Sequence, residues 1–92
     1  MKQEIIQAIQ RLQAAQIAIM KYDHPDIDLS VDVQHDHINV WAISERGKRR
    51  VHKGFAFYFG IYDKWEPIGR SRAKYTTKTV LAKVSQIIGF DV

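Results

Sequence analysis

The stretch from Asp26 to Gln34 constrains the fold more than any other part of this sequence. It reads DIDLSVDVQ, in which polar and apolar residues alternate without a break. Successive side chains of a β-strand point to opposite faces of a sheet, so this alternation is typical of a strand with one buried and one exposed face. The chain must therefore build a sheet that is covered on one side.

Three further segments are predicted to be strands of the same sheet. Residues 38–44 and 50–62 also alternate, and one face of the longer segment carries Phe55, Phe57 and Phe59. Residues 65–68 predict a short fourth strand at an edge, because Pro67 has no amide hydrogen for a sheet ladder. Short polar turns between the segments favour antiparallel neighbours.

An amphipathic helix is predicted at each end of the chain. In residues 2–21, apolar side chains recur at steps of three and four and form one stripe, and His24-Pro25 ends the helix. The stripe is wide, because Ile6, Ile17 and Met20 extend it along one edge, and a band of this width favours self-association.

The second helix is predicted over residues 71–88. Ser71 is the expected N-cap, with Thr76 as the alternative if the helix begins late, and Gly89 suits the position after its end. The fold class is therefore α+β in a single domain, 1–92. The order is α-β-β-β-β-α, or α-β-β-β-α without the 65–68 strand, with both helices on one face of the antiparallel sheet.

Charge is divided unevenly along the chain. The first 45 residues hold three basic and seven acidic residues, whereas residues 46–92 hold eleven basic and three acidic residues. The net charge of +4 is therefore the sum of −4 in the first half and +8 in the second. Such asymmetry indicates an oriented electrostatic surface.

Two basic clusters in the second half predict phosphate binding. If the third strand leaves the 46–50 turn and the fourth returns, the last helix begins beside that turn, where its free amides also attract anions. Arginine is suited to gripping phosphates. The predicted function is nucleic-acid binding through the backbone, with duplex preferred to single strands. The predicted contacts are Arg46, Lys48, Arg49, Arg50, Lys53, Arg70, Arg72 and Lys74.

From Ile38 to Val84, the order strand, basic turn, aromatic strand, short strand and basic helix start resembles the double-stranded RNA-binding domain. The resemblance implies that Gly47 and His52 would enter a minor groove and that the 70–74 cluster would span adjacent phosphates. Gly47 and His52 are spaced more widely than in that family, and its lysine pair is missing from Arg70-Ser71-Arg72-Ala73-Lys74.

The alternative function is a protein-interaction module, such as a small adaptor or inhibitor that could form a homodimer. Trp41, Tyr58 and Tyr62 share the sheet face opposite the phenylalanines, and aromatic patches often mark interfaces. Small residues on the same face, such as Gly54, would allow another subunit to approach closely. Base stacking on this face is disfavoured, because the aspartates of the first strand project from it.

Catalytic and cofactor motifs do not emerge from the sequence. There is no cysteine, no phosphate-binding glycine loop, and no serine beside a base. His35-Asp36-His37 lacks a committed third ligand, so a polar turn is favoured over a metal site. We therefore expect a non-enzyme without cofactor or metal. The cysteine-free composition, with no signal peptide or apolar span, predicts a cytoplasmic protein without membrane contact.

Overall fold

A computed structural model describes residues 3–45, 47, 49–60, 64–69 and 73–92. The elements are α1 (Gln3–Lys21), β1 (Ile27–Val33), β2 (His37–Ser44), β3 (Val51–Tyr58), β4 (Trp65–Pro67) and α2 (Thr77–Ile88). The strands form one antiparallel sheet in the order β1-β2-β3-β4. The predicted α-β-β-β-β-α order is confirmed, including the short fourth strand.

The alternation that predicted the sheet also identifies which of its two faces is covered. Ile27 and Leu29 of β1 are buried, while Asp28 between them and Ser30 after them are exposed. Every second residue of β2, beginning with Ile38, is buried in the same way. Antiparallel register carries this face across the sheet, because Ile38 is opposite Val33 on one side and Phe57 on the other.

Both helices cover this face, as predicted. The buried residues of α1 are the stripe read from the sequence, namely Ile5, Ala8, Ile9, Leu12, Ala15 and Ile19. α1 packs chiefly on β1, α2 packs chiefly on β2, and the two helices contact each other. No helix of the described residues lies on the opposite face of the sheet, and we call it the open face. No helix in the described part of the chain is long and apolar enough to cross a membrane.

The second helix begins later than predicted. It starts at Thr77 rather than Ser71, and Thr76, the alternative cap, accepts a hydrogen bond from the amide of Thr79 at 3.2 Å. Tyr75, the residue before the cap, is held in extended geometry, because it exchanges backbone hydrogen bonds of 2.8 and 2.6 Å with Trp65. The predicted cap Ser71 lies outside the described residues.

The third strand ends earlier than predicted. It stops at Tyr58, and the chain turns at Phe59 and Gly60, where the glycine has a φ of 77°. A positive φ of this size favours glycine and does not continue a strand. Phe59 nevertheless packs against the core. The end of the predicted strand, residues 61 and 62, lies outside the described residues.

The buried hydrogen bond between Trp65 and Thr77 gives a first prediction. The indole Nε1 donates to the Thr77 hydroxyl at 3.1 Å, and both residues are buried. Thr77→Val keeps the shape but leaves the indole N–H unpaired, so we expect a loss of about 1–3 kcal/mol in the free energy of unfolding. Urea denaturation followed by circular dichroism measures it. Thr79→Val, the same change on the same helix at a more exposed site, should cost clearly less.

The close approach of Trp41 to Gly54 on the open face gives a second prediction. A Cβ at Gly54 would lie 2.6–2.7 Å from three atoms of the Trp41 ring. Gly54→Ala should therefore destabilise the fold by about 1–3 kcal/mol, the usual cost of overpacking. Urea denaturation of the Gly54→Ala, Trp41→Val and double variants tests the cause. If the penalty of Gly54→Ala persists without the indole, the contact with Trp41 is not its origin.

Candidate functional site

The described structure separates the basic turn from the start of α2. The 45–50 connection joins Ser44 to Val51 at one end of the sheet. Thr77 is bonded to Trp65, which pairs with Phe57, six residues further along β3. At 3.3 Å per residue, this places the helix start about 20 Å along the strand from Val51. The helix start therefore does not lie beside the turn, as was predicted. Arg70 and Arg72 of the second basic cluster lie outside the described residues, so the meeting of the two basic clusters stays a prediction.

The position of the helix start departs from the resemblance to the double-stranded RNA-binding domain. That resemblance implied one surface formed by the basic turn and the beginning of the last helix. Here the chain returns from Pro67 to pair Tyr75 with Trp65, so α2 begins at the far end of the sheet and runs back. The order of the elements is shared, whereas the position of the helix start relative to the basic turn is not.

A different pair of elements meets beside the basic turn. A groove at this end of the sheet is lined by the turn, the first residues of β3, the last residue of β2 and the second half of α2. We call it the basic groove, and its lining residues are Ser44, Arg49, Arg50, Val51, Lys53, Lys83, Gln86 and Ile87. Four of these eight are cationic, and one of them, Lys83, lies at least thirty residues after the other three in the sequence.

Lys83 is the member of this groove that sequence reasoning missed. Its place follows from the direction of α2, because a helix that begins beside Trp65 brings its later turns toward Val51. Its ammonium lies 5.2 Å from the centre of the Tyr75 ring, a cation–π distance. Only the pairing of Tyr75 with Trp65 reveals that direction, and no local pattern in the sequence signals it.

Lys53 enters the groove from the covered face of the sheet. It lies opposite Ala42, which in turn lies opposite the buried Leu29, so its side chain points to the helix side. It is nevertheless exposed. The helical cover is therefore incomplete at this end, and the one polar residue on the helix-facing side of β3 marks where the groove opens.

Three of the four cations have no acidic partner in the described part of the chain. Arg50 is paired, with its Nε 3.2 Å from Oε1 of Glu45. Among the described residues, no carboxylate lies within ion-pair distance of Arg49, Lys53 or Lys83. The groove also adjoins the C-terminal half of α2, where the helix dipole is negative. Any attraction for anions therefore comes from these side chains alone.

Of the remaining predicted phosphate contacts, Lys74 is the one that the structure describes. Lys74 forms an ion pair with Glu66 on β4, so its charge is offset. Arg46, Lys48, Arg70 and Arg72 lie outside the described residues.

The three aromatic residues of the predicted protein interface do not form one exposed patch among the described residues. Trp41 is half-buried, because its ring covers Gly54 and lies 4.7 Å from the ring of His52. The small residue at position 54 is thus explained by a contact within the chain. Tyr58 is 38% exposed, beside the ring of His37. Tyr62 lies outside the described residues.

The His35-Asp36-His37 turn is a hydrogen-bonded hairpin tip. Nδ1 of His37 lies 2.7 Å from Oδ1 of Asp36, and Nδ1 of His35 is 4.0 Å away. The hydrogen bond from His37 lowers the pKa of the Asp36 carboxyl below its ordinary value. Across the described ranges, no group of three or more His, Cys, Asp or Glu side chains is placed to hold a metal ion.

Comparison with known proteins adds no family to this description. No protein-family model matches the chain, and neither the curated proteins nor the solved structures contain a significant match.

The hairpin tip gives a third prediction. His37→Phe keeps an aromatic ring beside Tyr58 but removes the hydrogen-bond donor, so the pKa of Asp36 should rise toward the ordinary aspartate value of about 3.9. Carboxyl ¹³C shifts followed by NMR between pH 2 and 6 measure it. His35→Phe, which removes the more distant imidazole, should raise this pKa less. If the two substitutions act equally, the hydrogen bond is not the main cause.

Proposed function

We propose that this protein binds the phosphate backbone of a nucleic acid through the basic groove. The observation that carries the proposal is the meeting of Arg49, Lys53 and Lys83, which come from a turn, a strand and a helix, without a described acidic partner. Separate elements that bring like charges together incur repulsion, which a bound polyanion would relieve. Phosphate chains are the common polyanions that basic grooves bind.

Duplex is the expected form of the ligand. Proteins that bind single strands usually combine basic residues with aromatic rings on which bases stack. The residues lining the basic groove include no aromatic ring. The aromatic residues of the open face share it with exposed Asp28 and Asp32, which would repel a phosphate chain. Backbone contact without base stacking supports binding with little sequence preference.

A protein-interaction role for the open face has weaker support. Trp41 already packs on Gly54, so little of its ring is available to a partner. Tyr58 is the exposed aromatic residue of this face among those described. An interface usually needs a larger group of buried anchors at its centre. The basic groove is therefore the better candidate.

Salt dependence gives the fourth prediction. If Arg49, Lys53 and Lys83 each neutralise one phosphate, the logarithm of the association constant should fall with the logarithm of salt concentration with a slope of about −2.7 on duplex DNA. The slope becomes steeper if other basic residues of the 46–50 turn also make contacts. Fluorescence anisotropy with a labelled duplex between 50 and 300 mM NaCl measures it.

A matched pair of double variants locates the contact. Lys53→Gln with Lys83→Gln should reduce the slope by about 1.8 and weaken binding at low salt by tenfold or more. Lys64→Gln with Lys78→Gln makes the same change in charge at the far end of the sheet, where both lysines are exposed, and should leave the slope nearly unchanged. Flat titrations with both duplex DNA and duplex RNA, or equal losses in the two variants, would rule the groove out.

A further inference from the structure

The outer edge of β1 has no neighbouring strand in the described part of the chain. β1 pairs with β2 alone, at one side of the sheet. The amide of Glu45 donates to Asp26 and the amide of Gln34 donates to His37, which shows that even-numbered residues face β2. In an antiparallel strand, the N–H and C=O of one residue both point to the neighbouring strand, and those of the next residue both point away from it. The odd-numbered residues of β1 therefore face outward.

Only the second half of this edge is open. The amide of Ile27 donates to the carbonyl of His24 at 3.4 Å, and the amide of Leu29 donates to the Asp28 carboxylate at 2.9 Å. Those two outward donors are therefore occupied. Among the described residues, the outward amides of Val31 and Val33 have no such bond, and Val33 is 41% exposed. An incoming strand could pair with these two residues.

An apolar flank of α1 lies above the same edge. α1 packs on β1, and its exposed residues Gln7 and Arg11 line a groove shared with α2, which identifies the side of α1 that faces α2. At 100° per residue, Ile6, Ile17 and Met20 lie on the other side, toward the outer edge of β1. Ile17 is 62% exposed and Met20 is 74% exposed. This flank could cover the apolar residues of an added strand.

The other side of the edge is acidic. Asp28 and Asp32 project from the open face of β1, and both are exposed. If two copies of β1 paired antiparallel over their full length, Asp28 of each copy would lie directly opposite Asp32 of the other. Two pairs of like charges would result. Like charges in directly opposite positions are destabilising. The edge is therefore unsuited to a second copy and suited to a strand with basic residues on that face.

We propose that the edge of β1 binds an extended segment of another protein, in which basic and apolar residues alternate. The segment would add a fifth strand to the sheet through the backbone groups of Val31 and Val33. Its apolar residues would lie on the helix side, beneath the outer flank of α1, and its lysines or arginines would lie beside Asp28 and Asp32. This mode of binding takes affinity from the main chain and specificity from alternate side chains.

A synthetic nine-residue peptide of alternating valine and lysine tests the proposal. NMR hydrogen exchange with and without the peptide should show new protection at the amides of Val31 and Val33. The amide of Asp32, which already faces β2, should change little. A peptide with N-methylated valines keeps the side chains but loses the donors, so it should bind at least tenfold more weakly. A valine–glutamate peptide should not bind.

Protein variants test the charge component. Asp28→Asn with Asp32→Asn keeps a side-chain oxygen for the Leu29 amide and removes two charges, so affinity for the valine–lysine peptide should fall by about two- to fivefold per residue. Glu4→Gln with Asp91→Asn is the matched control and should have no effect. Lys53→Gln with Lys83→Gln should also leave peptide affinity unchanged, which separates this surface from the basic groove.

Three results would overturn the proposal. The N-methylated peptide could bind as tightly as the parent, or the new protection could appear away from Val31 and Val33. Sedimentation could also show a dimer in which these two amides are protected, which would make a second copy the occupant of the edge.

Discussion

The buried contact of Trp65 with Thr77 determines how the second half of the molecule is arranged. The indole is fully buried, donates to the Thr77 hydroxyl, and lies 5.4 Å from the ring of Phe57. The backbone of Trp65 is meanwhile bonded to Tyr75 in both directions. One residue therefore fixes the position of β4 beside β3 and the point where α2 begins. Because α2 starts at this end, its later turns reach the opposite end, where Lys83 joins Arg49 and Lys53.

The sequence predicted the sheet well because the relevant information is local. Alternation in residues 26–34 identifies both a strand and its buried face, and the stripe of α1 names six residues that are all buried. The start of α2 could not be predicted in this way. Its cap depends on the pairing of Tyr75 with Trp65, ten residues earlier, and such pairing leaves no periodic signal. The end of β3 was also missed, since it depends on a turn at Gly60.

The candidate site was predicted in part for the same reason. The basic turn before β3 is a local cluster, so Arg49, Arg50 and Lys53 were found directly. The second component was assigned to residues 70–74 because helix 2 was expected to begin there. Because α2 begins at the other end, its later turns bring Lys83 beside the turn, while Arg70 and Arg72 lie outside the described residues. Lys74 instead pairs with Glu66. The helix start was predicted six residues too early. As a result, the start of α2 was expected beside the basic turn, where its second half lies instead.

The two edges of the sheet are protected by different means, and the difference bears on function. β4 is three residues long, contains Pro67, and is bridged by Tyr75, so it offers little backbone to another strand. β1 is seven residues long and is blocked only in its first half, by His24 and the Asp28 carboxylate. Exposed edges promote unwanted pairing, and charged residues are a common defence against it. On β1 that defence is selective, since its aspartates repel another copy of the same strand and attract a basic one. The charge asymmetry of the sequence therefore corresponds to two surfaces, an acidic edge and a basic groove, for which we have proposed a basic strand and a phosphate chain as ligands.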